Sequence, residues 1–236
     1  MALSGEFRTK LRPAKVRAAL RRRWFEFRLS RLEAAPGRNL VYLGSDYGGW
    51  RVPDVIDADW TCYCVGAGGD ITFDRELIAR YGAKVRSFEP DEDYIRRAEV
   101  DPELQPRFSK HAVAVTPVDG PIRMQRTHVS GSRSLSPVDL YDTTEYVEIP
   151  GRTIPSLMHE LGDGRIDLLK IDVEGGEYEL LPTLDLAGLG VRIFCVQLHH
   201  TGSVRDAHRV IDRIEEQGFQ LVVSDPVVRL TFRRAD

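Results

Sequence analysis

From residue 60 onward the chain alternates short apolar runs with amphipathic ones, and it closes on two apolar runs separated only by Asp225-Pro226. The alternation is that of βαβ units, which build a parallel sheet. The last two runs, Phe219–Ser224 and 227–232, cannot continue it, because a parallel crossover takes a dozen or more residues. They must pair antiparallel. Few α/β folds end a mostly parallel sheet this way.

The earlier elements follow from the same periodicities. Residues 60–65 read as a first strand, followed by a glycine-rich turn and a helix carrying Phe73, Leu77, Ile78 and Tyr81 on one face, stopped by Gly82. Lys84–Phe88 is a second strand, 91–99 a short helix with an acid-rich first turn, and 111–116 a third strand. Residues 117–152 are the least regular stretch and include a serine-rich loop at 130–136. A helix over Ile154–Leu161, a strand over 166–171, a helix from about Gly176, a strand over 192–198 and a helix over 203–217 complete the series. Lys170 is the one charge inside its apolar strand, so it needs a partner, and a structural pairing is expected.

At 236 residues, with 42% hydrophobic and 29% charged side chains, the chain fits one α/β domain plus a short extension. The net charge of −3 gives no whole-chain argument for nucleic-acid binding. Cys62, Cys64 and Cys195 are too few for a disulfide framework and lack the partners of a zinc site. No run approaches the roughly 20 apolar residues that cross a bilayer. A reduced, cytoplasmic protein is expected.

Charge is unevenly spread. Residues 1–35 hold ten basic and three acidic residues, a net of +7, which leaves −10 on the remainder. Val16, Leu20, Trp24, Phe27 and Arg31 recur there at helical spacing. The division is then a basic helical extension over 1–38 and a body over 39–236. The helix is expected to pack on its own body with a solvated basic face; contact with an anionic membrane surface is the other reading.

Val65-Gly66-Ala67-Gly68-Gly69-Asp70 lies where the first strand turns into a helix, a place where glycines let the backbone approach a ligand. The third glycine of a nicotinamide fingerprint is replaced by Ile71, which argues against a dinucleotide oxidoreductase. Glu89, twenty residues after Gly69 at the next strand's end, can accept hydrogen bonds from vicinal ribose hydroxyls. A glycine turn with a strand-end acid and no diphosphate site describes an adenosine pocket, as for S-adenosylmethionine.

Asp167-Leu-Leu-Lys170-Ile-Asp172-Val-Glu174-Gly175-Gly176-Glu177 resembles the D-L-L-K-I-D-V-E-G-A-E signature of FkbM-type methyltransferases. The turn through Phe73-Asp74, Ser87-Phe-Glu89-Pro90 and Val196-Gln-Leu-His199-His200 are similar to further motifs of that family. Many relatives carry acids where Cys64 and Gln197 stand. The resemblance runs from about Tyr42 to the C-terminus. It implies a class I methyltransferase (Rossmann-like) fold, with a seven-stranded sheet, an antiparallel last strand and helices on both faces. The implied activity is S-adenosylmethionine-dependent methyl transfer to a hydroxyl, on a sugar-containing or secondary-metabolite acceptor.

The expected site follows residue by residue. Gly66, Ala67, Gly68 and Asp70 shape the cofactor turn, Glu89 holds the ribose, and Asp172 the methionine end, with adenine near Ala112. Strand alternation sends His199 and His200 to opposite faces, so one reaches the pocket. His199 is expected as base, supported by Asp172 or Glu174, although Glu174 could instead cap the following helix. Ser132, Ser134 and His200 are the acceptor-side candidates, with His128, Arg126 and Arg133 nearby. Residues 47–50 are expected as a plain turn rather than a lid. Asp172, Glu174 and His199 offer oxygen and nitrogen ligands, but their spacing assigns no metal. The rival reading is a methyltransferase fold that no longer catalyses and docks a partner through its basic helix.

Overall fold

The structure, a computed structural model, describes residues 13–35, 39–126, 135–138 and 145–235, with the side chains of 13–18 excepted. Helix α1 (Pro13–Leu29) precedes a two-stranded hairpin, β1 (Leu40–Leu43) and β2 (Trp50–Pro53). Then come β3 (Thr61–Val65), α2 (Thr72–Tyr81), β4 (Lys84–Phe88), α3 (Glu92–Arg97) and β5 (Phe108–His111). A second group contains β6 (Ala114–Val115), β7 (Gly120–Arg126), β8 (Leu135–Ser136) and β9 (Tyr146–Arg152). The chain finishes with α4 (Ile154–Leu161), β10 (Leu168–Ile171), α5 (Glu177–Leu180), β11 (Ile193–Gln197), α6 (Val204–Glu216), β12 (Phe219–Ser224) and β13 (Arg229–Arg234).

The main sheet has seven strands in the order β12-β13-β11-β10-β3-β4-β5. Strand β13 is antiparallel to both neighbours, as the two-residue link at Asp225-Pro226 required, while β11, β10, β3, β4 and β5 pair in parallel. Alternation along these strands divides the core between the two faces. Tyr63, Val65, Leu169, Ile171, Phe194 and Val196 pack with α1, α4, α5 and α6. Cys62, Cys64, Leu168, Ile193 and Cys195 pack with α2 and the β1–β2 hairpin. Helices therefore cover both faces. The ends of these helices are set locally: Gly82 and Gly162 close α2 and α4 in the left-handed region, and Ser203 and Asp206 form a capping box on α6.

Two expectations need correction. The apolar run at 111–116 is not one strand: β5 ends at His111, Ala112 is exposed, and Ala114–Val115 joins a separate four-stranded sheet ordered β6-β9-β7-β8. That small sheet occupies much of the stretch expected to be irregular. Its strands carry Pro121 and Pro150, directly opposite each other, so the residues that usually mark loops lie within a ladder.

Helix α1 shares the core of the body. Phe25 and Leu29 are buried at 3% and 0% exposure, whereas the expected apolar stripe of Leu20, Trp24 and Phe27 faces outward. The Ser224 hydroxyl donates to the Leu29 carbonyl and the Ala35 amide to the Leu221 carbonyl, fixing the helix's end beside β12. Burial of each such large apolar side chain stabilises the docked state by roughly 1.5–3 kcal/mol.

Candidate functional site

A cavity of about 440 Å³ opens at the carboxyl ends of β3, β4 and β10, within the roughly 300–1,000 Å³ typical of small-molecule sites. Its floor is the turn from Val65 to Asp70. Gly66 sits at φ +74°, and a Cβ there would lie 1.7 Å from the Asp172 carbonyl oxygen. Only glycine fits between β3 and the end of β10 at that point. Gly68 has φ +57° and open space where a Cβ would stand, so its face is free for a ligand.

Glu89 is tied into this turn. Its Oε2 accepts from the Gly68 amide at 2.7 Å and its Oε1 from the Asp91 amide at 2.9 Å. Burial raises its pKa, against the lowering effect of these amides and of Lys170. Each oxygen retains a lone pair for a further donor. Asp172 lines the same cavity, and its Oδ1 is buried without a hydrogen bond inside the protein, 3.9 Å from His199 Nε2. A carboxylate that shares the cavity with a glycine turn suits the ammonium end of an amino-acid ligand, and Glu89 suits a diol. The donor set therefore fits an S-adenosylmethionine-type molecule.

Asp70 works within the turn. Its Oδ2 accepts from the Ser45 hydroxyl and its Oδ1 from the Thr72 amide at 2.9 Å. Burial opposes ionisation, but the bonds from Ser45, Thr72 and Gly48 outweigh it and lower the pKa. Ser45 begins the turn between β1 and β2, and that turn is more than a lead into the sheet. Tyr47, Gly48 and Trp50 line the cavity as its roof. Arg229 of β13 clamps it, donating to the Gly49 carbonyl at 3.0 Å and to the Tyr47 carbonyl, while Nε reaches Gln197 Oε1 at 3.3 Å. Nothing in the sequence pattern marked Arg229.

Lys170 finds a carbonyl and a ring at close range, with the carboxyl groups of Asp74 and Glu89 acting on it electrostatically: Nζ donates to the Gly66 carbonyl at 3.3 Å and stands 5.7 Å from the Trp50 ring centre. Backbone polarity and cation–π attraction together offset its burial.

On the opposite side from Glu89, Asp172, Glu174 and His199 converge, with ligand-capable atoms all within 4.8 Å of one another. His199 Nε2 lies 3.5 Å from Glu174 Oε2 and 3.9 Å from Asp172 Oδ1, and Nδ1 lies 2.8 Å from Glu177 Oε1. Glu177 is fully buried and was not among the expected site residues, although it closes the lysine-to-glutamate signature. Burial pulls the imidazole pKa down, but Glu177, then Asp172 and Glu174, overcome it and raise the value to about 9. His199 is then a cation at neutral pH. It does not line the cavity, whereas Asp172 and Glu174 do. Its imidazole, held by Glu177, meets the cavity through Asp172 and Glu174.

Glu174 does not cap α5, whose N-cap is Gly176. It occupies the left-handed region at φ +49°, and its carbonyl accepts from the Ser136 hydroxyl at 2.7 Å. Held left-handed geometry in a non-glycine residue concentrates at functional sites. His200 does not line the cavity, and strand alternation does not govern the pair because β11 ends at Gln197; burial and then Arg22 lower the His200 pKa, which sets it beside α1. Ala112 does not line the cavity either, but Val113, Ala114 and Val115 do. Ser132, Ser134, His128 and Arg133 lie outside the described residues, and Arg126 stands 3.6 Å from Asp91. Ile122, Met124 and Leu135 of the small sheet supply an apolar wall that went unexpected.

A family model of the methyltransferase FkbM domain matches residues 64–221, two thirds of the chain. The chain belongs to the FkbM methyltransferase family. Membership makes it a methyltransferase by family and implies an S-adenosylmethionine-type methyl donor. The FkbM fold is also met in the crystal structure of the methyltransferase FkbM from Methylobacillus flagellatus KT. The TM-score is 0.52 at 14% identity, over 75% of this chain and 44% of that one, so the chain spans under half of that protein. Among curated proteins none matches the sequence. No described helix is long and apolar enough to cross a membrane.

Proposed function

We propose that the protein transfers a methyl group from S-adenosylmethionine to a hydroxyl of a sugar-containing or secondary-metabolite acceptor. The observation that carries this reading is the shared cavity lined by Glu89, bonded to the Gly68 amide, and by Asp172 just past the end of β10. Glu89 would take the ribose hydroxyls, and Asp172 the amino group of the methionine end. Val113 and Ala114 give an apolar wall for adenine. When bound, the cofactor supplies a sulfonium methyl open to in-line displacement.

The chain's own work is then orientation and proton removal. An alcohol must be held behind the methyl carbon and lose its proton as the bond forms. Asp172 and Glu174 line the cavity next to each other, so their carboxylates are the groups that receive that proton. His199, held by Glu177 at 2.8 Å, stands with Nε2 3.5 Å from Glu174 and 3.9 Å from Asp172 and so positions both. Ile122, Met124 and Leu135 give the acceptor an apolar wall, and Tyr47 and Trp50 border the same cavity.

Calorimetric titration of S-adenosylhomocysteine tests this. Wild type should bind in the micromolar range, and Glu89→Ala should weaken binding by roughly 1–3 kcal/mol, the worth of its lost hydrogen bonds. No binding to a folded wild type would overturn the reading. With binding established, transfer of labelled methyl to hydroxylated acceptors tests the oxygen specificity.

A further inference from the structure

Helix α1 has two apolar faces. Phe25 and Leu29 point into the body, at 3% and 0% exposure. Leu20, Trp24 and Phe27 stand on the other side at 61%, 57% and 47% exposure. Helical spacing of four and three residues sets these last three in one line along the outer surface. Single exposed apolar residues are ordinary, but three aligned on one helix form a ridge.

The ridge is bordered by arginines. Arg28 stands 5.7 Å from the Trp24 ring centre and Arg31 4.4 Å from that of Phe27, and the two rings lie 6.1 Å apart. Arg21, Arg22 and Arg23 are exposed on the same helix. Among the described residues α1 holds one ion pair, Arg22 with Glu26 at 2.7 Å. The guanidiniums of Arg28 and Arg31 thus lie against the exposed rings.

We propose that this outer face of α1 docks the protein on an anionic lipid surface. Trp, Phe and Leu on one face with arginines beside them form the interfacial pattern: the rings enter the headgroup boundary and the guanidiniums meet phosphates above them. Charge sets the orientation. The first 35 residues carry +7 and the rest −10, so an anionic layer attracts this end and repels the body. A second copy seated face to face would bring arginine against arginine, which disfavours self-association through the ridge. A ridge also enters a fluid layer without requiring a shaped groove in a partner. Because Phe25 and Leu29 fix α1 to the core, docking would hold the catalytic body at the surface in one orientation. This proposal is independent of the methyl-transfer reading.

The full chain provides its own probe. Trp50 and Trp60 are each 2% exposed, so a shift in tryptophan emission on docking reports Trp24. With vesicles of phosphatidylglycerol and phosphatidylcholine, emission should move to shorter wavelength and the protein should sediment with the lipid. Binding should fall with added salt and be at least tenfold weaker on phosphatidylcholine alone. Trp24→Ala/Phe27→Ala should lose sedimentation at least tenfold, as should Arg23→Glu/Arg28→Glu/Arg31→Glu. All these side chains are exposed, and unchanged thermal melting would confirm that both variants fold. Absence of binding to anionic vesicles overturns the proposal, as does binding that both variants retain. An emission shift that follows protein concentration without lipid, with dimers on sedimentation, would assign the ridge to a second copy and overturn it as well.

Discussion

The Glu89 carboxylate and the Gly68 amide are joined by a 2.7 Å hydrogen bond across 21 residues of sequence. The glycine turn and the end of β4 are thereby one unit. Glu89→Gln tests what that unit needs. Two amides, of Gly68 and Asp91, point at the side chain, and a glutamine must turn its own NH2 toward one of them. Stability should fall by roughly 1–3 kcal/mol, and S-adenosylhomocysteine affinity should fall with it. Urea denaturation and calorimetry measure the two losses separately.

The two glycines of the turn should respond differently. Gly66→Ala drives a Cβ to 1.7 Å from the Asp172 carbonyl and should abolish soluble folding or separate β3 from β10. Gly68→Ala meets nothing within 4 Å and incurs only the positive φ, roughly 1–2 kcal/mol. Thermal melts of the pair would distinguish space from conformation as the reason for each glycine.

Asp74 should make the fold less stable as pH rises. It is buried at 1% exposure, and burial, opposed by Lys170, lifts its pKa from 3.8 to about 6. The folded state holds its proton more tightly than the unfolded state, so this group's contribution declines from about pH 4 to pH 6 and stays unfavourable above. Asp74→Asn should remove that slope and raise stability at pH 8 by up to roughly 3 kcal/mol, at 1.36 kcal/mol per unit. Denaturation midpoints across pH 4–8 check it.

His199 titrates in a different window. Its pKa is raised from 6.5 to about 9, so its contribution is complete below the unfolded value and is lost as pH climbs through 9. Glu177→Gln removes the nearest carboxylate, at 2.8 Å, and should bring the pKa down toward the ordinary range. Imidazole resonances followed by NMR across pH 6–10 would show the shift directly.

Much of this was legible because it is written in short-range pattern. The link at Asp225-Pro226 dictated the antiparallel pairing of β12 and β13, and Ile71 argued against a dinucleotide before any contact was known. The strand ends carried Glu89, Asp172 and His199 to one rim because parallel strands place their carboxyl ends together. Other features depend on long-range partners. The run from His111 to Thr116 is apolar almost throughout, so nothing local shows that Ala112 leaves one sheet and Ala114 enters another. Helix α1 carries two sets of apolar residues, and only the body's shape selects Phe25 and Leu29 over Trp24 and Phe27. The raised pKa of His199 depends on Glu177, brought close by the turn at Gly175–Gly176.

The clamp made by Arg229 carries a consequence for synthesis. The cavity's roof is an early hairpin, translated before any strand of the main sheet, while the side chain that fastens it lies in the last strand. That strand also enters the sheet between β11 and β12, both made before it. A nascent chain emerging from the ribosome can therefore form the glycine turn and its glutamate early, yet it has no closed binding chamber until residue 229 has cleared the exit tunnel. Cofactor capture should follow the entry of β13 into the sheet, and ligand binding is then a marker that Arg229 has reached the hairpin.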